Sequence, residues 1–378
     1  MVLFQTMMVA AMVISGMGVA LLGSVKMPLA RRLQIDEARV GGLVSIFGFV
    51  LVPVIFTAGF LTDLVGKQAV LMSGSLALAA SLGWLALSRR YLSAFAAVVL
   101  ISAGWSLLIN AGNVLIPSTF PDDTAFATNL FNVFFGVGAF LTPLAVRFLV
   151  ARTSLPAAVG FLGALTLLPA LLAAGVDFAA LAPAAEPGSS SQGILFLLGD
   201  PIMWLCGLAF FFYGPLEASM GAWTTTYLGD RGFSEATSSS LLSAFWLAYM
   251  AARLTTAFTL PRGGEAALIL VLALACVAVM LAMVFSRGRQ AAVAVVIGAG
   301  LVFGPIFPTI MAVLLEHVPS PLHGRAVGLF FAIGGVGWTM IPLLIGAYAR
   351  RTSVQRGFTI AVAAAMGLSG VALLLVLR

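Results

Sequence analysis

Charged residues are the scarcest component of this chain. Lys, Arg, Asp and Glu make up 8% of its 378 residues, where a soluble domain carries about 25%. Such a chain cannot cover its surface with charge, which excludes a water-exposed globule. The two cysteines, Cys206 and Cys276, both lie in apolar runs, which excludes a disulfide framework and a thiolate metal site. The two histidines, His317 and His323, fall in one short loop. No metal-ligand spacing, Gly-x-Ser-x-Gly elbow or phosphate loop occurs, so hydrolytic chemistry and ATP coupling have no basis in the sequence, and neither an enzyme nor a cofactor is expected. The formal charge of +6 comes from basic residues scattered in ones and twos. They read as topology signals and lipid-headgroup contacts, with no nucleic acid as partner. The first apolar stretch lacks a cationic leader and reads as a retained helix.

What is abundant is hydrophobicity, at 61% of residues. About 20 apolar residues cross a bilayer, and twelve runs meet that length: 3–25, 40–62, 69–88, 93–117, 124–150, 155–176, 201–228, 234–260, 265–285, 290–316, 323–349 and 354–377. An even number puts both termini on one side. The longest Pro/Gly/Ser-rich polar stretch, Asp177 to Gly193, separates six runs from six and reads as a linker. The segment Gly136-Val-Gly-Ala-Phe-Leu-Thr-Pro143-Leu144 returns 199 residues later as Gly335-Val-Gly-Trp-Thr-Met-Ile-Pro342-Leu343. The same offset pairs Asp36 with Glu235 and Phe47 with Trp246. One constant offset across three regions predicts two head-to-tail copies of a six-helix unit, 1–176 and 201–378, joined through 177–200.

Between the second and third runs stands Gly59-Phe-Leu-Thr-Asp63-Leu-Val-Gly66-Lys67. It resembles the signature loop of the major facilitator superfamily. The resemblance implies an all-α membrane protein with 12 transmembrane helices in two six-helix bundles, related by a parallel pseudo-twofold repeat. It also implies that Gly59, Asp63, Gly66 and Lys67 form a conformational motif on the cytoplasmic side. The glycines permit a tight turn and close helix contact, and Asp63 can bond exposed N–H groups at a helix end. The second copy keeps a polar turn between Arg253 and Arg262 but not the motif. Charge counting points the other way. Of the 19 Lys and Arg, 14 fall in loops opposite the termini, which by the positive-inside rule would put the termini outside. The motif is followed here, and both termini are expected in the cytoplasm.

Residues 210–345 resemble the fucose permease and sodium-dependent glucose transporter branch. The match runs through Phe212-Tyr-Gly-Pro-Leu-Glu217, Trp223, Ser243-Ala-Phe-Trp246, Ala252-Arg253-Leu254 and Gly304-Pro305-Ile-Phe307-Pro308-Thr309. That branch carries acids in its first and fourth helices for proton coupling. Here those places read Leu22-Gly-Ser24-Val-Lys26 and Leu108-Ile-Asn110-Ala-Gly-Asn113, with no carboxylate.

Of 13 acidic residues, only Glu217 falls near mid-membrane. A carboxylate there costs several kcal/mol unless protonated, paired or wet, which makes it a candidate for coupling or substrate binding. The plainer alternative is a neutral Glu bonding across helices. Lys26, near the end of the first run, is a candidate second charge, although a Lys there can simply snorkel to the interface. Asn110 and Asn113 share a helix face, as do Asn129 and Asn132. These amides suit sugar hydroxyls, or they bridge helices. Trp223 and Trp246 could stack on a sugar's C–H face, or serve packing and the interfacial belt.

The sequence therefore reads as a secondary active transporter of a small polar solute. A sugar is the first reading, moved by alternating access on a proton or sodium gradient, by a monomer in the bacterial inner membrane. An exporter of drugs or other amphipathic compounds is the alternative, and a non-transporting scaffold or sensor the second.

Overall fold

The computed structural model describes residues 1–178 and 193–378. Most of the expected Asp177–Gly193 linker lies outside the described residues. Among the described residues, twelve helices are long and apolar enough to cross a membrane. They are α1 (Val2–Leu33), α2 (Arg39–Val65), α3 (Lys67–Leu87), α4 (Tyr91–Thr119), α5 (Thr124–Arg152), α6 (Leu155–Ala173), α7 (Pro201–Gly229), α8 (Glu235–Thr259), α9 (Glu265–Phe285), α10 (Arg289–His317), α11 (Ser320–Ala349) and α12 (Val354–Val376). No strand occurs among the described residues. In lipid every backbone group must find a partner within the protein, and a continuous helix supplies one for each.

Short polar residues punctuate the runs. Asp36, Ser154, Asp200, Ser234 and Ser353 each accept a backbone N–H three residues on, capping α2, α6, α7, α8 and α12. Ser154 and Ser353 do this at the same offset as the repeated segment. Gly66 makes the α2–α3 turn at φ 95°, a left-handed conformation that favours glycine. Helix α1 runs past residue 25 to Leu33 before Gln34 closes it in the left-handed region. Lys26 therefore sits inside the helix, because Met27 to Ala30 continue the apolar run.

The chain forms two compact units. The first comprises Met1–Pro121, Phe134–Gln192 and Pro319–Leu329, and the second Asp122–Val133, Gly193–Val318 and Phe330–Arg378. Each draws one segment from the other half of the sequence: the start of α11 packs in the first, the start of α5 in the second. The repeated segment has a packing role in each. A Cβ on Gly138 of α5 would overlap the Val13 carbonyl of α1, and a Cβ on Gly337 of α11 would overlap the Phe211 carbonyl of α7. The first unit is further joined by Ser102 of α4, whose hydroxyl donates to the Phe47 carbonyl of α2 at 2.8 Å. In the second, Phe210 stacks on Phe330 at 4.6 Å between ring centres, with Phe307 and Phe331 around them.

Candidate functional site

Two prolines in α10 start the construction of the site. Helix α10 breaks at Gly304–Pro305, between Arg289–Phe303 and Ile306–His317. Pro308, four residues after Gly304, has no N–H to offer the Gly304 carbonyl, so that acceptor needs a donor from elsewhere. Arg253 of α8 provides it through Nε at 2.7 Å. The neighbouring Phe303 carbonyl accepts the Tyr213 hydroxyl of α7 at 2.9 Å.

These donors surround Glu217. Its Oε2 accepts the Tyr249 hydroxyl at 2.6 Å and lies 3.0 Å from the Tyr213 hydroxyl. Tyr213 has one hydrogen for three oxygens in reach, those of Glu217, Phe303 and, at 3.0 Å, the Tyr249 hydroxyl. Tyr249 in turn accepts from Arg253 Nη2. Arg253 Nη1 reaches Asn132 of α5, 3.2 Å from its backbone carbonyl and 3.4 Å from Oδ1. The guanidinium also lies 4.2 Å from the centre of the Tyr249 ring. Arg253, Tyr213 and Tyr249 are buried, while Glu217 is half-buried. The result is a buried cation joined to a carboxylate through one phenol. Among the described residues no hydrogen bond is made to Glu217 Oε1, which is left to accept from water or a ligand.

Arg253, read above as one end of a polar turn, lies instead inside α8 with 3% of its surface exposed. A charge can sit there because Glu217 balances it and three helices supply its acceptors. The sequence reading also missed Tyr213 and Tyr249. The signal was available, since Tyr213–Glu217 and Tyr249–Arg253 are both spaced i, i+4, which puts each pair on one helix face.

Of the expected site residues, the second unit brings together Glu217, Asn132 and, at the edge of the network, Trp246. The Trp246 ring lies 5.3 Å from that of Tyr249 and 3.7 Å from where a Cβ on Gly221 would be, one turn along α7 from Glu217. Asn129 donates to the Ala125 carbonyl at 3.0 Å and lies 3.5 Å from the Thr309 hydroxyl, leaving its Oδ1 without a partner. Trp223 is placed apart from the network, its Nε1 donating to the Pro342 carbonyl at 3.3 Å and its ring against Gly346. In the first unit, Asn113 donates to the Ile109 carbonyl at 2.9 Å and its Oδ1 is also unpartnered. Lys26 is half-buried on α1, in the unit that does not contain Glu217.

Asn110 lies elsewhere, with the signature loop. Asp63 at the end of α2 accepts the backbone N–H of Gly324 at 2.8 Å and of Arg325 at 3.0 Å, and pairs with Arg325 Nε at 3.2 Å. These N–H groups open α11, where exposed amides and the helix dipole favour a negative charge. Asn110 of α4 grips the same residue from its other side, its Nδ2 donating to the Gly324 carbonyl at 3.2 Å while Oδ1 accepts the Thr62 hydroxyl at 2.8 Å. The contact depends on Gly59, where a Cβ would overlap the Gly324 carbonyl.

The family model for the Major Facilitator Superfamily matches residues 8–342. The chain belongs to the Major Facilitator Superfamily: it is a multi-pass membrane transporter and not an enzyme. Among curated proteins, Bypass of stop codon protein 6 of Saccharomyces cerevisiae is 30% identical over 181 residues, spanning 45% of this chain and 36% of the relative. Among solved structures, the E. coli fucose:proton symporter FucP is 18% identical over 97% of both chains, with a TM-score of 0.78. The human organic anion transporter MFSD10 is 15% identical over 98% of both, at 0.77. The proton:xylose symporter XylE, bound to 6-bromo-6-deoxy-D-glucose, is 12% identical over 97% of this chain and 94% of its own, at 0.81. At these identities the likeness is one of fold, and that fold is shared with sugar transporters.

Proposed function

We propose that the protein moves a small polar solute, in the first instance a sugar, by alternating access driven by a proton or sodium gradient. The observation that carries this reading is Glu217: a half-buried intramembrane carboxylate held by Tyr249 and Tyr213 through one oxygen, with the other available. Trp246 of α8 packs against Gly221, one helical turn along α7 from Glu217, an arrangement suited to accept a sugar hydroxyl and cover a C–H face. FucP and XylE are described as proton symporters of fucose and xylose, which agrees with the same substrate class and coupling. In this reading the halves 1–176 and 201–378 rock as bundles. The contacts that tie α2 to α11 at Asp63 and α8 to α5 at Arg253 would then break and reform in each cycle. Export of amphipathic compounds is the second reading, supported by the aromatic cluster around Phe210 and by the fold likeness to MFSD10, an organic anion transporter.

A thermal-shift panel separates the two. Fucose, xylose, glucose and a set of organic anions are each added to the purified protein. A ligand at 100 times its dissociation constant stabilises by about 2.7 kcal/mol. Stabilisation is expected from a sugar and not from the anions. The reverse pattern would favour export, and no response together with no flux in proteoliposomes would favour a scaffold.

We place the protein, as a monomer, in a bacterial cytoplasmic membrane with both termini inside. A cysteine at Thr153, in the exposed α5–α6 loop, is then expected to react with an impermeant maleimide added to intact cells. The native cysteines are buried and should stay silent. Protection of that cysteine until the cells are broken would reverse the orientation.

A further inference from the structure

Arg253 does two things at once. It forms a charge pair with Glu217 through Tyr249, and it holds the start of α5 through Asn132. We propose that Arg253 is a gating residue: it keeps α5 bound while Glu217 is ionised and lets α5 go when Glu217 takes up a proton. The inference rests on Glu217 being the coupling carboxylate, and it adds the path by which its charge reaches a helix contact.

The charge balance comes first. Arg253 is buried, so it needs a negative partner close by in a medium of low dielectric. The elements packed around it bring one. Helix α7 brings Tyr213 and Glu217, α10 the Phe303 and Gly304 carbonyls, and α5 the amide of Asn132. Of the other acids of this region, Glu316 bonds Thr124 at the start of α5, with Asp123 and Glu265 near Glu316. Asn132 is two turns further along the helix. A proton delivered to Glu217 Oε1 by hydronium from the aqueous phase turns the carboxylate into a neutral carboxyl: one O–H bond of the hydronium breaks, one forms on Oε1, and water is left. Arg253 then keeps its charge without a counter-charge and is drawn toward water.

The acceptors decide which contact yields. The Gly304 carbonyl depends on Arg253, because Pro308 has no N–H to give it, so breaking that 2.7 Å bond would leave a buried acceptor orphaned. The Asn132 carbonyl lies inside helix α5, with the Gly136 N–H in position four residues on to serve it. The two bonds to Asn132 are also the longest that Arg253 makes, at 3.2 and 3.4 Å. The joint to α5 is therefore the weak one. Tyr213 makes the protonated state tolerable on the other side: its hydrogen can turn fully to Phe303, freeing its oxygen to accept from the new carboxyl proton.

The test reads α5 directly and needs no substrate. Ala125, buried on the first turn of α5, is changed to Cys in a background carrying Cys206→Ala and Cys276→Ala. Its reaction rate with N-ethylmaleimide is followed at one fixed pH. Glu217→Gln imitates the protonated carboxyl and is expected to raise the rate about tenfold, the factor that a coupling of about 1.4 kcal/mol makes. Arg253→Gln should raise it equally, and the double variant no further. Tyr249→Phe removes only the connecting hydroxyl, and in that background Glu217→Gln should have no effect. Unfolding temperatures confirm that each variant is folded. A fast Arg253→Gln beside a Glu217→Gln at the parent rate would overturn the link to the carboxylate. A slow Arg253→Gln would overturn the clamp. Uptake separates the two levels of the argument. Lost gradient-driven uptake in Glu217→Gln with unchanged labelling defeats this inference alone, and unchanged uptake with faster labelling supports the clamp while defeating the coupling role beneath it.

Discussion

Replacing Glu217 by glutamine is expected to abolish accumulation of substrate against its gradient while exchange of substrate across the membrane continues. The side chain keeps its size and still offers a carbonyl oxygen to Tyr249, which now lies 2.6 Å from Oε2. A folded protein should result, weakened by about 1 kcal/mol where a bond to a charged acceptor becomes a bond to a neutral one, and further where Arg253 loses its counter-charge. What disappears is the ability to alternate between charged and neutral forms. A transporter coupled through this group could not load an ion on one side and release it on the other, so a gradient would no longer do work on the substrate. Exchange needs only the loaded carrier to reorient, which a permanently neutral side chain permits. Both quantities can be read in one proteoliposome preparation, with labelled substrate inside or outside. Accumulation at the parent level would remove Glu217 from coupling. If affinity were also unchanged, the residue would be left with a structural role.

The fold was largely legible because the bilayer imposes its own ruler. Each of the twelve apolar runs became helical, the sixth and tenth with a break inside, and elsewhere the structure mostly moved ends, as where α1 extended to Leu33. Glu217 was legible for the same reason: one carboxylate in a long apolar run has to be accounted for. Arg253 was overlooked because it stands six residues before the end of α8, close enough to a polar turn to be counted with it. Its burial depends on a carbonyl stranded by Pro308, on a different helix, which a reading of one segment at a time does not connect. The four asparagines show the other limit. Their cost in lipid predicted burial in the interior, but the same donors and acceptors serve a helix, a neighbour or a ligand. Asn110 closes on Gly324 and Asn132 on Arg253, and spacing along a helix does not distinguish these partners from a substrate.

The repeated glycines should carry large stability effects. Gly138→Ala and Gly337→Ala add a single carbon, yet each would overlap a backbone carbonyl of the helix being crossed, at Val13 and Phe211 respectively. A flexible side chain could turn aside, but a carbonyl in the middle of a membrane helix moves only if the whole helix does. Overpacking of this kind costs about 1–3 kcal/mol, and the upper end applies where backbone must give. Elsewhere the same change should help, since alanine is favoured over glycine in a helix interior by about 1 kcal/mol. Gly160 and Gly298, with open space around the position of a Cβ, are the controls and should hold or gain stability. Thermal unfolding in detergent would show the two pairs moving apart by several degrees. Losses of similar size at Gly138 and Gly337 would fit a duplicated helix crossing preserved in both copies. If all four variants behaved alike, the recurring Gly-Val-Gly would be a compositional accident of a glycine-rich chain, and the close crossings at α1–α5 and α7–α11 would need another explanation.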